Sequence, residues 1–379
     1  MKRILITSTS AMAFHFFVPY IKEMANDGYE IECACSHIDD YEGRLRDALT
    51  GSYQIPIHTV SLKRSPFRPV NLKGYLEMKK IIGKGNYDLI LTNEPVMGVV
   101  TRLVARTFRR QGGRVIYIAH GFHFYKGAPL VNWLLYYPVE KWLSRYTDAL
   151  VTINKEDYAL ANLKMKAVKR VYQIPGIGVD TSKFFSPAID RGSKRNELGI
   201  PQDAIVLISV GEINKNKNHQ IIIKAVSKIK SNNLFYVICG QGPLKERLIK
   251  LCKKLKIEGR VSFLGFRTDI ADLLHMSDIF IFPSFREGLP IAPIEAMLSG
   301  LPVISSNIRG PNDYSENGIT GYTCSPANID EFKNAIVNLM QNYDLRTRMA
   351  KHNKDDALRF DIKCSIEQMK KIIGDVLNG

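Results

Sequence analysis

The sequence predicts an α/β protein made of two doubly wound units, each a parallel sheet with helices on both faces. Three observations carry this expectation. Short β-branched runs alternate with amphipathic stretches from the first residue onward, the pattern of repeated βαβ units. At 379 residues the chain exceeds the size at which one hydrophobic core keeps growing, so two domains of ordinary size are expected. The alternation breaks once, at Ile174-Pro175-Gly176-Ile177-Gly178-Val179-Asp180 and the Pro- and charge-bearing residues 186–199, and then restarts.

Taken in order, the apolar runs predict strands over residues 2–7, 30–35, 55–60, 88–92, 114–119 and 149–153, with helices between them. A second series follows over 204–210, 234–239, 261–264, 278–282 and 302–305. The domains are set at 1–180 and 181–355, with a last helix in 356–379 expected to pack back toward the first domain. Doubly wound units bind ligands in the crevice beyond the carboxyl ends of their strands. Function is therefore sought in the loops after those strands, with the two crevices expected to face one another across a cleft.

Bulk properties narrow the class. The chain is 45% apolar and 24% charged, a globular profile without a repeat period. Its longest apolar runs, 204–210 and 277–283, fall far short of the roughly 20 residues that span a bilayer. Met1-Lys2-Arg3-Ile4-Leu5-Ile6 gives way at once to Thr7-Ser8-Thr9-Ser10, which reads as a first strand rather than a signal peptide and implies a cytoplasmic protein. Six cysteines lack any C-x-x-C pair or zinc-spaced histidine and are expected to be buried, reduced thiols. The formal charge of +16 calls for a polyanionic neighbour, and residues 1–185 hold 26 Lys and Arg against 16 Asp and Glu. No RNP pattern or zinc finger accompanies that charge, so nucleic acid is not the expected partner.

Chemistry is concentrated after the strands of the second half. Gly211-Glu212-Ile213-Asn214-Lys215-Asn216-Lys217-Asn218-His219 joins a strand to an apolar helix, and backbone N–H groups at that helix start, with a loop lysine, suit a phosphate. On its own the segment reads equally as a solvated loop. Gly240-Gln241-Gly242-Pro243 is a turn whose glycines permit close approach of backbone or ligand. Phe282-Pro283-Ser284-Phe285-Arg286-Glu287-Gly288-Leu289-Pro290 leads through Ile291-Ala292-Pro293-Ile294 to Glu295, which places two carboxylates about two helical turns apart if a helix starts near Leu289. Acceptor-only groups suit sugar or ribose hydroxyls, and the helix start between them suits a pyrophosphate.

These segments, with Leu264-Gly265-Phe266-Arg267-Thr268-Asp269-Ile270, resemble the retaining glycosyltransferases of family 4, which have the GT-B fold. The resemblance covers essentially the whole chain, and Ala119-His120-Gly121-Phe122-His123-Phe124-Tyr125-Lys126-Gly127 looks like the capsular and exopolysaccharide branch. It implies that Lys217 contacts the donor pyrophosphate, Glu295 the nucleotide ribose and Glu287 the donor sugar. Gly211, Gly240 and Gly242 shape the donor loops, and Gly288 and Leu289 supply backbone N–H groups. His120 is the implied first-domain residue near the reacting centre. Many relatives have arginine where this chain has Glu212, so another cation, Arg267 or Lys215, is expected to assist Lys217. His15, His123 and Lys126 are acceptor-side candidates. No D-x-D pair is present, so neither a metal nor any other cofactor is expected.

The implied reaction moves a hexose or N-acetylhexosamine, with UDP the expected carrier, to a glycan or lipid-linked saccharide acceptor in surface polysaccharide assembly. A GT-B nucleotide-sugar epimerase and a non-catalytic transferase subunit are the alternatives. Residues 130–142 contain both tryptophans, and with Arg102, Arg106, Arg109, Arg110, Lys63, Arg64 and Arg68 they offer a surface for peripheral docking on an anionic membrane. A core helix with solvated charge is the other reading of that segment.

Overall fold

The computed structural model describes residues 1–11, 14, 16–36 and 54–379. The chain divides into two compact units, one of Met1–Ile177 with Lys363–Gly379 and one of Gly178–Ile362.

The first unit runs β1 (Arg3–Ser10), α1 (Val18–Asn26), β2 (Glu30–Ser36), β3 (Ile57–Thr59), α2 (Val70–Lys84), β4 (Leu89–Asn93), α3 (Pro95–Val104), α4 (Arg106–Arg110), β5 (Arg114–Ala119), α5 (Leu130–Leu143), β6 (Ala149–Thr152), α6 (Lys155–Lys164) and β7 (Arg170–Gln173). The seven strands form one sheet in the order β3-β2-β1-β4-β5-β6-β7, every pair parallel. Helices cover both faces, so central strands such as Leu89-Ile90-Leu91 are apolar on both sides. One buried layer joins Leu5, Met78, Ile90 and Val100, and another joins Tyr117, Phe122, Phe124 and Leu150.

The second unit runs α7 (Arg191–Glu197), β8 (Ile205–Val210), α8 (His219–Ser227), β9 (Leu234–Cys239), α9 (Lys245–Lys254), β10 (Val261–Gly265), α10 (Ile270–His275), β11 (Ile279–Phe282), α11 (Ile291–Leu298), β12 (Val303–Ser306), β13 (Gly321–Cys324), α12 (Ile329–Gln341) and α13 (Tyr343–Ala357). Its sheet is also fully parallel, in the order β10-β9-β8-β11-β12-β13. The last helix, α14 (Ile362–Asn378), begins at the unit boundary and lies with the first unit from Lys363 onward. In both sheets the strand order reverses beside the first strand, between β1 and β4 and between β8 and β11. Those are the switch points at which such sheets leave a crevice for ligands.

Two strands are additions to the expected set. Edge strand β7 has four partly exposed residues, too few to show alternation. Strand β13 opens on Gly321, where a Cβ would lie 1.9 Å from the Val303 carbonyl oxygen, so the missing side chain is what permits the pairing. The cysteine expectation needs one correction: Cys33, Cys35, Cys239, Cys252 and Cys324 are buried, but Cys364, on the outer side of α14, is exposed. Among the described residues no helix is long and apolar enough to cross a membrane.

Candidate active site

At the second unit's switch point the loop after β8 is tied to the loop after β11. The Phe285 N–H donates to the Asn216 carbonyl (2.8 Å), and the Asn216 amide donates to the Arg286 carbonyl (2.9 Å). Asn218, in the left-handed region at φ 54°, starts α8 and donates to the carbonyls of Pro283 (3.2 Å) and Pro326 (2.8 Å). Between these ties sits Lys217. Its backbone N–H is held by the Asn214 side chain at 2.9 Å, its ammonium donates to the Glu287 carboxylate at 2.9 Å, and the charge lies 4.5 Å from the centre of the Phe282 ring. Lys217 and Glu287, 70 positions apart, are thus joined, with side chains 20% and 13% exposed.

The glycine turn plays a stitching role. The Gly211 N–H donates to Cys239 O, Ile213 N–H to Gln241 O and Gly240 N–H to Gly265 O, which binds the loops after β8, β9 and β10 together. A Cβ on Gly240 would stand 1.9 Å from Gly211 O and one on Gly242 2.4 Å from Ile213 O. These glycines are required by backbone meeting backbone.

Helix α11 opens at Ile291, two residues later than expected, on Pro290, with no side-chain cap and no acid in its first turn. Its first N–H groups are therefore available to an anion. Glu295, one turn in, is half-buried, and its carboxylate has no hydrogen-bond or ion-pair partner among the described residues. Burial pushes its carboxyl pKa up to about 7, only slightly opposed by Lys183. A partly desolvated carboxylate without a donor is a ready receptor for hydroxyls.

Arginine placement differs from expectation. Arg267 is clamped by Asp269 and Glu197, with Lys194 bridging the same two carboxylates at 2.9 and 2.7 Å. Those neighbours hold Asp269 well below the usual carboxylate range and raise Arg267. Among the described residues no hydrogen bond or ion pair joins this network to Lys217. Lys215 is exposed in the loop. A residue not singled out from the sequence, Arg309, lies in the loop after β12, is 7% exposed, and donates to the Glu287 carbonyl at 3.3 Å. The next residue, Gly310 at φ 87°, would place a Cβ 2.1 Å from Gly288 O, so this loop presses directly on the Glu287-Gly288 turn. The available signal was an Arg-Gly-Pro triplet just past an apolar strand.

In the first unit His120 follows β5, and its Nε2 lies 3.2 Å from the Asn93 side-chain oxygen, with Phe17 edge-on at 5.8 Å. The residue is half-buried, and burial of the imidazole lowers its pKa to about 4, so it is neutral near pH 7. At this switch point Glu94, at φ 65°, accepts from Ser8 Oγ and Thr9 N at 2.7 Å and from Ser10 N at 3.2 Å, fixing the turn after β1. A non-glycine residue there stores strain of about 1–3 kcal/mol, the kind of cost that collects around ligand sites. The His123 ring lies 4.6 Å from that of Tyr136, tilted by 31°, and Lys126 is exposed with its N–H donating to Glu156. His15 lies outside the described residues. Among those residues no group of three His, Cys, Asp or Glu side chains is arranged to hold a metal.

Residues 3–154 match the family described as Glycosyl transferase 4-like, and residues 190–356 match Glycosyl transferases group 1. The chain is 37% identical over 377 residues to the putative glycosyltransferase EpsD of Bacillus subtilis, covering 98% of this chain and 96% of that one. The chain is a GT-B glycosyltransferase. A second relative of this transferase, 28% identical over 93% of the chain and 91% of its own length, is the Escherichia coli UDP-Gal:alpha-D-GlcNAc-diphosphoundecaprenol alpha-1,3-galactosyltransferase. The fold of this chain matches the crystal structure of Anabaena HepE in complex with UDP and glucose at TM-score 0.80 and 20% identity, over 99% of this chain and all of that one.

Proposed function

We propose that this glycosyltransferase moves a hexose or N-acetylhexosamine from a nucleotide diphosphate sugar, with UDP as the carrier, to a lipid-linked saccharide, retaining the anomeric configuration and using no metal. The observation that carries the reading is the second unit's switch point: a lysine on one loop, a carboxylate on the next, an uncapped helix start, and an unpartnered Glu295 one turn in. In this reading Lys217 and the first N–H groups of α11 receive the diphosphate, Glu295 the ribose diol, and Glu287 with the Gly288 and Leu289 amides the sugar. Lys217 would then exchange its bond to Glu287 for the departing phosphate, stabilising charge where it develops. Arg309, whose side chain bonds the Glu287 carbonyl, is the assisting cation in place of Arg267.

His120 is the first-unit candidate for the reacting centre, where a neutral imidazole steadied by Asn93 can hydrogen-bond a sugar hydroxyl. The acceptor hydroxyl attacks the anomeric carbon on the face the diphosphate leaves, and its proton passes to the leaving phosphate oxygen. His123, Lys126 and His15 are carried as acceptor-side residues. The carrier and the lipid-linked acceptor are supported by the name of the Escherichia coli relative and by the UDP in the HepE complex. Work on such an acceptor would place the enzyme at the cytoplasmic face of a membrane.

Mass spectrometry of products, with donor alone and with donor plus a polyprenyl-diphosphate saccharide, tests the proposal. Sugar added to the lipid-linked saccharide supports it. An epimerised nucleotide sugar formed without acceptor would replace it with the epimerase reading.

A further inference from the structure

Helix α5 carries an apolar surface that the fold leaves uncovered. Its inner half, with Trp133, Tyr136, Tyr137, Glu140 and Leu143, packs on the first unit. Its outer half carries Leu130, Val131, Leu134, Leu135, Val139 and Trp142, with Leu130 80% and Leu134 75% exposed. Single exposed leucines are ordinary, but a whole half-helix of them marks an interaction surface.

The surface continues into a cluster of arginines. Trp142 meets the Tyr146 ring edge-on at 5.6 Å, and the Arg106 guanidinium lies 5.6 Å from the Trp142 ring centre and 5.1 Å from that of Tyr146. Beyond these aromatics Arg106, Arg109, Arg110, Arg145 and Tyr146 line an open cavity of about 270 Å³. Arg106 and Arg110 also line a second cavity of about 340 Å³ with Tyr75 and Lys79. Asp148 takes up Arg109 in a two-pronged contact at 2.8 and 2.9 Å. Arg106, Arg110 and Arg145 have no carboxylate partner among the described residues.

The structure sharpens the sequence expectation here. Arg102 is no surface cation: it is 1% exposed, bonded twice to Glu140 and stacked 3.9 Å from the Tyr117 ring centre. Trp133 is held inside by its bond to Tyr125 O at 3.2 Å, so Trp142 is the tryptophan at the surface. Arg145 joins the cluster from the turn after α5.

We infer that the outer half of α5 and the arginine cavity at its end form a docking surface for an anionic lipid bilayer, the leucines entering the acyl boundary and Arg106, Arg110 and Arg145 binding lipid phosphates. This deepens the proposed use of a lipid-linked acceptor, though vesicle binding can be read without any transfer activity. Charge complementarity selects the occupant, because three guanidiniums without carboxylate partners around an open hollow, beside aromatics and a row of apolar side chains, match an interface of acyl chains below anionic headgroups. The 14-residue helix is about 21 Å long, too short to span, so it lies in the membrane plane.

Flotation of the full chain with phosphatidylcholine vesicles, with or without about a third phosphatidylglycerol, tests the inference at low salt. Binding is expected only with the anionic lipid. Arg106→Gln/Arg110→Gln/Arg145→Gln should lower the partition coefficient about a hundredfold, at roughly fivefold per charge. Leu130→Ser/Leu134→Ser should lower it as well, both variants keeping the parent's circular dichroism. In a Trp133→Phe background, brominated acyl chains should quench the Trp142 fluorescence. Binding that is absent, lipid-independent or indifferent to both variants overturns the inference. So does a leucine variant that only changes the chain's mass in solution without vesicles, since the face would then join copies of the protein.

Discussion

Replacing Glu295 by glutamine should make the donor-free enzyme more stable and the donor-bound enzyme less so. Burial moves the Glu295 carboxyl from 4.5 to about 7. Below about pH 4.5 it is protonated in both the folded and unfolded chains, and the shift costs nothing. Between 4.5 and 7 the unfolded chain loses the proton while the folded chain keeps it, so stability falls as pH rises, and above 7 the full cost remains. That cost is at most about 3 kcal/mol, or roughly 6–12 °C in Tm for a unit of this size. It is a ceiling, because Glu295 is only partly buried and water screens part of the effect. Glutamine removes it. A ribose diol donates two hydrogen bonds to the ionised group, each contributing about 1.5–3 kcal/mol, so donor affinity should rise with pH through 7 in the parent and stay flat in the variant. Thermal denaturation from pH 5 to 8.5, with and without UDP, reads both effects. Parent and Glu295→Gln proteins that share one pH profile and one UDP-induced shift would refute the reasoning.

Three further outcomes follow from the same geometry. Gly240→Ala should separate the loops after β8 and β9, lowering Tm and weakening UDP binding together, because its Cβ would stand 1.9 Å from Gly211 O; calorimetry and a binding titration check this. Arg102→Met should destabilise the first unit by about 3–5 kcal/mol in urea titration by stranding the buried Glu140, and Arg102→Met/Glu140→Leu should recover most of that loss. The pH profile of kcat/KM should show an acid limb near 7 that disappears in Glu295→Gln, with no inflection from His120 above pH 5, since that imidazole is already neutral there.

The architecture was legible in the sequence because a parallel strand covered on both faces is a short apolar run, and 11 such runs coincide with strands of the two sheets. The missed strands were those whose residues do not look like strands: β7 is half-exposed, and β13 begins on a glycine that only a neighbouring carbonyl explains. At the candidate site, loops after strands were findable because topology sends them all to one edge. The bond between Lys217 and Glu287, 70 positions apart, needed coordinates. So did the fates of the arginines. Composition counts Arg102, Arg267 and Arg106 alike, whereas folding buries the first against Glu140, clamps the second between Asp269 and Glu197, and leaves the third over aromatic rings. Arg309 was passed over because nothing in its triplet reports that the next glycine presses on Gly288.

The central claim is that sugar leaves a nucleotide diphosphate held by Lys217 and arrives on a lipid-linked saccharide. Transfer of radiolabelled sugar from a UDP-sugar panel to a polyprenyl-diphosphate saccharide, in EDTA, tests it most directly with the parent protein and Lys217→Ala. Removing one preorganised charge from a departing phosphate costs about 10²–10³ in rate, so the account predicts label in the lipid fraction with the parent and at least a hundredfold less with the variant. Label that never reaches the acceptor, or reaches it equally fast without Lys217, would contradict it.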